Sequence, residues 1–429
     1  MTATLRVGVA GLGTVGMGVL ALLDCNAVVV EARAGRRIAV SAVSARERGR
    51  DRGMTLAPYD WHDDPVVLAR DPDVDVVVEV IGGADGAARA TVDAALAAGK
   101  PVVTANKALL ALHGSELAAR AEQAGVALAY EAAVAGGIPV IKALREGLAG
   151  NRIDRVAGIL NGTCNHILTV MQAHGRAFAD VLAEAQALGY AEADPSFDID
   201  GIDAAHKLAI LTALAFGRPV AFADIHIEGI RAITAEDIGF ATTLGYRIKL
   251  LGLARATEAG VSARVHPVLL PEGAELARVD GVHNAVVAEG DFVGRVMLQG
   301  RGAGAGPTAS AVVADLVDIA RGRHAPVWGA ASGALSNAPS IAMEHHVGEY
   351  YLRLTVVDRP GVIADVTAIL RDCGVSMASM IQRGRSDCAV PVVIVTHATT
   401  EAAMRVALAR IAALDAVLQP PAMIRIEPA

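Results

Sequence analysis

"LRVGVAGLGTVG", Leu5 to Gly16, is the stretch whose reading decides the fold. An apolar run, Leu5–Ala10, leads straight into Gly11-x-Gly13-x-x-Gly16, and "TVGMGVLALL" continues as a helix. A glycine triplet alone is a weak signal. Between a strand and a helix it becomes a dinucleotide-binding fingerprint. Its glycines allow a tight turn, a close backbone approach to a pyrophosphate, and tight helix–strand packing. The free N–H groups and positive end of the helix then face the phosphates. Gly11, Leu12, Gly13, Thr14, Val15 and Gly16 are therefore the first cofactor candidates.

Outward from this loop, strands and helices alternate. "IAVSAV", "DVDVVVEVI" and "PVVTA" are continuously apolar strands, and "ATVDAALAAG" is a helix. Uninterrupted apolar strands suit a parallel sheet covered on both faces, so residues 1–135 are expected to form a doubly wound, Rossmann-type α/β domain. Residues 136–307 change pattern. "RIDRVAGIL", "GVSARVHPVLL", "NAVVAEG" and "GRVMLQG" read as strands, "FADVLAEAQALG" and "AAHKLAILTALAFG" as helices: an α+β substrate and dimerisation domain. A helix over 308–325 is expected to return to the first domain, and 326–348 is a linker. From 349 to 429 the order is strand, helix, strand, strand, helix, strand, the split-βαβ pattern of a small ferredoxin-like domain.

Composition bounds the function. A chain of 429 residues exceeds one ordinary core, which agrees with several domains. No apolar run approaches the ~18–20 residues of a membrane span, and the N-terminus enters its first strand directly, with no signal peptide expected. A net charge of −8 argues against nucleic acid as a partner. Cys25, Cys164, Cys373 and Cys388 form no CxxC pair and read as reduced thiols of a cytoplasmic protein.

Cofactor choice turns on the second strand. Glu31 has the spacing of a ribose-binding acid, but "ARAGRR" follows it. The better strand is Ile38–Val43, with Arg46 at its tip and Arg48, Arg50 and Arg52 behind. A guanidinium fork suits a 2′-phosphate, so NADP is favoured and NAD left open. In open α/β sheets ligands sit beyond the carboxyl ends of strands, which singles out Thr104, Asn106 and Lys107 in "PVVTANKALL". "YEAAVAGGIP" is a tight joint in which Glu131 and nearby carbonyls suit either a small hard cation or a buried, hydrogen-bonded carboxylate.

In "DPSFDIDGIDAAHKLAIL", Asp203 lies in the first turn of a helix, where an acid is favoured, and Lys207 follows four residues later on the same face. The spacing of Asp198, Asp200 and Asp203 does not make an EF-hand. An N-capped helix with one ion pair would explain the pattern structurally. The functional reading is a lysine kept protonated by carboxylates, able to protonate a carbonyl oxygen as hydride arrives, with further acids free for a substrate ammonium.

Taken in order, "GLGTVG", "TANKALL", "YEAAVAGGIP", "GILNGTCNHIL" and "GYAEADPSFDIDGIDAAHKLAIL" make residues 5–325 resemble the homoserine dehydrogenase family, and "LRLTVVDRPGVIADVTAIL" resembles an ACT domain. The resemblance implies reversible reduction of L-aspartate 4-semialdehyde to L-homoserine with NAD(P)H, on the route to threonine, isoleucine and methionine. It implies Lys207 as proton donor, with Lys107 and Asp203 in the catalytic group. It implies Glu192, Asp203, Asp198, Tyr190 and Thr163 around the substrate. Thr104 and Lys107 are implied at the cofactor or as organisers of the site, Gly189 and Gly306 near the nicotinamide, and a sodium-like ion on Glu131, Val134, Gly136 and Ile138. Asn161 stands where several relatives have serine; neither supplies charge or a proton, so those roles do not depend on it. The ACT resemblance implies feedback control, most naturally by threonine, bound at a dimer interface near Asp358 and Gly361 of "DRPG" and Gly374 and Ser376 of "CGVS", in a homodimer or homotetramer.

Two rivals remain at this stage. Cys164 is the candidate nucleophile of an acylating semialdehyde dehydrogenase, which needs a histidine base; His166 is too close in sequence to be the obvious partner, which leaves His206 as the candidate. A non-catalytic amino-acid sensor would keep the ACT module over a dead nucleotide fold; the intact glycine loop, Lys107 and Lys207 argue against it.

Overall fold

A computed structural model describes residues 3–190, 194–382 and 389–428. The first sheet has six strands: β1 (Leu5–Ala10), β2 (Ile38–Ser44), β3 (Asp60–His62), β4 (Val76–Glu79), β5 (Val102–Thr104) and β6 (Leu128–Ala129). They lie in the order β3-β2-β1-β4-β5-β6, every pair parallel. The order reverses beside β1, at the crevice between β1 and β4, where doubly wound sheets bind ligands. Val7, Val9, Val77, Val78, Val102 and Val103 are fully buried, because helices cover both faces. Glu31 lies in a helix, Ala27–Ala34, not on a strand, which removes it as the ribose acid.

The helix Ala305–Ala320 packs on this unit. Ala309, Val312 and Leu316 join the cluster built on Val9 and Leu20. Gly18 allows the approach: a Cβ there would come within 2.6 Å of the Ala305 carbonyl oxygen.

The second sheet carries the remaining strands: β7 (Ile153–Ile159), β8 (His226–Ile227), β9 (Tyr246–Thr257), β10 (Gly260–Pro271), β11 (His283–Gly290), β12 (Gly294–Arg301), β13 (Val347–Val356), β14 (Met377–Gln382), β15 (Val390–Thr396), β16 (Thr399–Thr400) and β17 (Ala422–Ile426). Its main path is β12-β11-β7-β9-β10-β17-β13-β15-β14. Sequence reading overlooked β9, a twelve-residue strand that pairs with β10 along its whole length and with β7 on the other side. The C-terminal unit has the expected strand and helix order, but its sheet is continuous with the middle one: β17 runs parallel to β10, with Val268 opposite Arg425.

The helix Ile202–Phe216 lies between the second sheet and the helix Lys107–Ala124 of the first unit. Asp203 through Leu214 are all buried, as expected of a helix apolar on every side. Gly201, at φ +86°, turns the chain into it. Lys107 and Lys207 therefore come from the N-terminal halves of two packed helices and meet at Asp203. No single helix is long and apolar enough to cross a membrane.

Candidate active site

The three fingerprint glycines answer different requirements. Gly11 has φ +107°, and a Cβ there would meet the Val80 carbonyl oxygen at 2.6 Å. At Gly16 a Cβ would lie 1.9 Å from the Gly11 carbonyl oxygen. At Gly13 it would meet nothing within 4 Å, so this exposed position at the helix N-terminus has room for a phosphate. Leu12 is buried, while Thr14 is exposed and Val15 half-buried in the first turn of Thr14–Cys25. The structure thus fits a dinucleotide on residues of this chain.

Beyond the tip of β2, Arg46 is exposed. Arg52, which the sequence reading left in the background, folds back instead. Its guanidinium donates to the carbonyls of Leu12 (3.3 Å), Arg50 (2.9 Å) and Glu47 (2.7 Å) and lies 5.8 Å from the Trp61 ring centroid. It ties the arginine-rich loop to the glycine loop.

At the ends of β4 and β5, Thr104 donates to Glu79 Oε2 at 2.6 Å, and the Ile81 N–H donates to Oε1 at 2.8 Å. Asn106 caps the helix Lys107–Ala124 by accepting from the Leu109 N–H, and its amide donates to the Gly83 carbonyl at 2.6 Å. Thr104 is thus an organiser of this loop. Glu79 is a missed residue. It is fully buried, and burial, outweighing its hydrogen bonds, pushes its carboxyl upward. An acid inside the run "VVVE" was the available signal.

Asp203 is the centre of the site. Lys207 Nζ donates to its Oδ2 at 2.7 Å, and Lys107 Nζ lies 3.1 Å from its Oδ1. Lys207 also donates to the Leu160 carbonyl at 2.7 Å. Burial alone would raise the Asp203 carboxyl; the two ammonium groups, with hydrogen bonds from Lys207 and Asn161, outweigh it and hold the group well below the usual range. Lys107 keeps about a third of its side chain exposed (33%) and lies 5.7 Å from the Phe197 ring centroid.

Asn161, to which no role was given, joins the two carboxylates. Its Oδ1 accepts the Cys164 N–H, capping the helix Gly162–His174, which directs its Nδ2 to Asp198 Oδ1 (2.7 Å) and Asp203 Oδ2 (2.9 Å). Burial, ahead of that hydrogen bond, leaves the Asp198 carboxyl above its ordinary value. Asp200 turns away to pair with Arg231, and Asp194 caps the Ser196 N–H. Thr163 donates to the Tyr190 carbonyl at 2.9 Å, and the Tyr190 ring rests against His166. Tyr190 and Phe197 are exposed apolar residues at the rim. Gly189, at φ +76°, precedes Tyr190, and Gly306 lies in the first turn of Ala305–Ala320. Glu192 lies outside the described residues.

Cys164 does not suit a nucleophile. It is fully buried, its Sγ lies 3.2 Å from the Asp198 carbonyl as a donor, and burial with the nearby aspartates pushes the thiol well up. His206 is packed between Phe197 and Phe222.

At the joint, Glu131 is buried, and its two oxygens accept the N–H groups of Ile141 and Lys142, both at 2.8 Å. Burial, then Asp315, pushes Glu131 up to about 7. Gly136 has φ +53°, and the Ile138 carbonyl accepts the Val140 N–H. Among the described residues no group of three or more His, Cys, Asp or Glu could hold a metal ion. A cation here would rely on Glu131 and main-chain oxygens, a donor set right in kind for a hard ion.

In the C-terminal unit Asp358 and Gly361 precede the helix Val362–Asp372, while Gly374 and Ser376 follow it. The strand pairing sets them at opposite ends of the sheet: Val356 faces Val390, and Met377 faces Thr396. The fold does not bring the two turns together within one chain.

Comparison with known proteins agrees with this architecture. Residues 11–131 match the family model "Homoserine dehydrogenase, NAD binding domain", 139–317 match "Homoserine dehydrogenase", and 350–416 match "ACT domain". The chain is 49% identical to the homoserine dehydrogenase of Pseudomonas aeruginosa and 48% to that of Neisseria gonorrhoeae, over 98% of each chain. Among solved structures, a homoserine dehydrogenase from Thiobacillus denitrificans superposes with a TM-score of 0.94 at 49% identity, over 99% of both chains. A hyperthermophilic archaeal homoserine dehydrogenase in complex with NADPH gives 0.64 at 27% identity, over 74% of this chain and 97% of that one. A sheet order suited to nicotinamide cofactors, a lysine–aspartate centre and this likeness over nearly the whole chain lead to one conclusion: the chain belongs to the homoserine dehydrogenase family, NAD(P)-dependent oxidoreductases acting on a CH–OH group.

Proposed function

We propose that this chain reversibly reduces L-aspartate 4-semialdehyde to L-homoserine, on the route to threonine, isoleucine and methionine, with Lys207 as general acid. The observation that carries the reading is Asp203 held between Lys207 and Lys107. A nicotinamide held by the glycine loop would supply the hydride that the aldehyde carbon takes up. Lys207 Nζ gives a proton to the aldehyde oxygen, and Asp203 holds the lysine in place. Asp198, with Glu192, takes the substrate ammonium, and Thr163 and Tyr190 line that side. Lys107, more exposed than Lys207, steers the substrate or cofactor.

The glycine loop, Gly189 and Gly306 hold the cofactor, and the exposed Arg46 supports a preference for NADPH, the cofactor named for the archaeal relative. Glu131 with the carbonyls of Val134, Gly136 and Ile138 would hold a sodium-like cation, which would neutralise a buried carboxylate and stiffen the joint. Following NADPH and NADH oxidation with L-aspartate 4-semialdehyde tests the activity and the cofactor choice together. Absence of oxidation with either would refute the reading.

For the ACT unit we propose feedback by threonine at a site shared between two copies of the chain. The separation of Asp358 and Gly361 from Gly374 and Ser376 supports sharing. So does the edge of β14, which among the described residues has no second partner strand and where Met377 and Met380 are exposed. Millimolar threonine should lower activity, and light scattering should report a dimer or tetramer. Activity indifferent to threonine would reduce the unit to an assembly module.

A further inference from the structure

Among the described residues Lys207 Nζ has two acceptors, and each is shared with an asparagine amide. Asp203 Oδ2 takes Lys207 at 2.7 Å and Asn161 Nδ2 at 2.9 Å. The Leu160 carbonyl takes Lys207 at 2.7 Å and Asn284 Nδ2 at 3.0 Å. Two donors fill the lone pairs of a carbonyl oxygen. Leu160 lies just past β7 and Asn284 on β11, 124 residues further along the chain.

Close packing fixes Asn284. It is buried at 2% exposure. A Cβ on Gly302 would fall 2.2 Å from its Cγ, so the backbone of Gly302 lies directly against the amide. Gly162 lies on another side: a Cβ there would meet Asn284 Oδ1 at 3.5 Å and the Val282 carbonyl oxygen at 2.8 Å.

An ammonium offers three protons that rotate freely about the last bond of its stem. Two short, oriented acceptors stop that rotation and set the direction of the third N–H. The Asp203 acceptor is fixed by the i,i+4 geometry and by Asn161. The Leu160 carbonyl, beyond the end of its strand, takes its orientation from Asn284. We propose that Asn284 is a positioning residue: by holding the Leu160 carbonyl it aims the remaining proton of Lys207 at the substrate oxygen. The inference rests on Lys207 being the acid, and Asn284 acts only through it. An amide that merely satisfied a buried carbonyl would affect stability without affecting proton transfer.

The test uses the full chain with NADPH and L-aspartate 4-semialdehyde, comparing Asn284→Ala, Asn284→Ser, Lys207→Ala and the double variant Lys207→Ala/Asn284→Ala. With Asn284→Ala, kcat should fall about 10- to 100-fold, part of the 10²–10⁴ that a positioned acid supplies. NADPH affinity by fluorescence and KM for the aldehyde should hold, and the solvent deuterium isotope effect on kcat should grow. Asn284→Ser keeps a donor and should recover part of the rate. On the Lys207→Ala background, Asn284→Ala should cost nothing further. If Asn284→Ala does not fold, the similarly sized Asn284→Leu, which lacks the donor and adds no charge, carries the same test. Unchanged kcat and isotope effect beside a collapsed Lys207→Ala would overturn the positioning role and leave the acid standing, and so would an additive double variant. An active Lys207→Ala would overturn the acid reading and this inference with it.

Discussion

The chain buries charge in two places. At the seam between β10 and β17, Arg425 is 1% exposed and donates four hydrogen bonds, to Glu401 (2.9 and 2.5 Å) and Glu228 (2.7 and 2.8 Å). Arg353 meets Asp237 in the same way nearby, and Tyr351 donates to that carboxylate. Burial would raise the Glu228 carboxyl, but bonds from His226 and Arg425 hold it well below the usual range. Here each buried guanidinium is matched by carboxylates of the same chain. At the candidate active site the described residues give Lys207 acceptors for two protons of three, and the Asp198 carboxylate only the Asn161 amide. Both regions are desolvated and charged. The difference lies in how the charges are matched: the seam sets each arginine against carboxylates, while among the described residues Lys207 keeps one proton and Asp198 most of its oxygen lone pairs without a partner. A cavity of about 930 Å³ lies at the seam, lined by Arg155, Arg264, His346 and Glu427 among others, and includes none of the residues around Lys207.

The comparison can be broken at either end. Lys207→Ala should lower kcat by about 10²–10⁴-fold while NADPH still binds; stopped-flow NADPH oxidation checks it. Arg425→Met leaves Glu401 with only Arg405 and Tyr350 as partners and should cost about 3 kcal/mol of stability by urea unfolding, with kcat of the folded enzyme unchanged. A loss of kcat there would mean the seam is coupled to the chemistry.

Asn161→Ala sharpens the contrast because it opens a partly closed network. It removes a helix cap, worth about 1 kcal/mol. It also removes the hydrogen bond that opposes burial at Asp198, so that carboxyl should rise further. An acid that must be ionised to take a substrate ammonium is lost as pH falls through its pKa, so the acid limb of kcat/KM should move to higher pH. A limb that stays put would deny Asp198 that role. The smallest effect is expected at the surface: Arg46→Ala should raise KM for NADPH about tenfold, or about 1.4 kcal/mol, and leave NADH nearly unchanged.

Much of this was legible locally. Strand, glycine turn and helix were read within twelve residues because each is a short-range pattern, and Asp203 and Lys207 were paired by helix periodicity alone. The long strand β9 was missed because "YRIKLLGLARAT" mixes cations into its apolar run and is recognised as a strand only from its partners. Cys164 looked reactive by its neighbours in sequence and is inert by burial.

The sequence by itself determined the nucleotide fold, the order of elements in the C-terminal unit and the lysine–aspartate pair, because steric rules at glycine and the 3.6-residue repeat act over a few residues. Only the tertiary structure decided that Lys107 reaches Asp203, that Thr104 organises Glu79, that Asn161 joins two carboxylates and that Asn284 holds the carbonyl beside Lys207. These contacts span tens of residues or more. They exist because two sheets and the helices between them pack in one register, which no local pattern encodes.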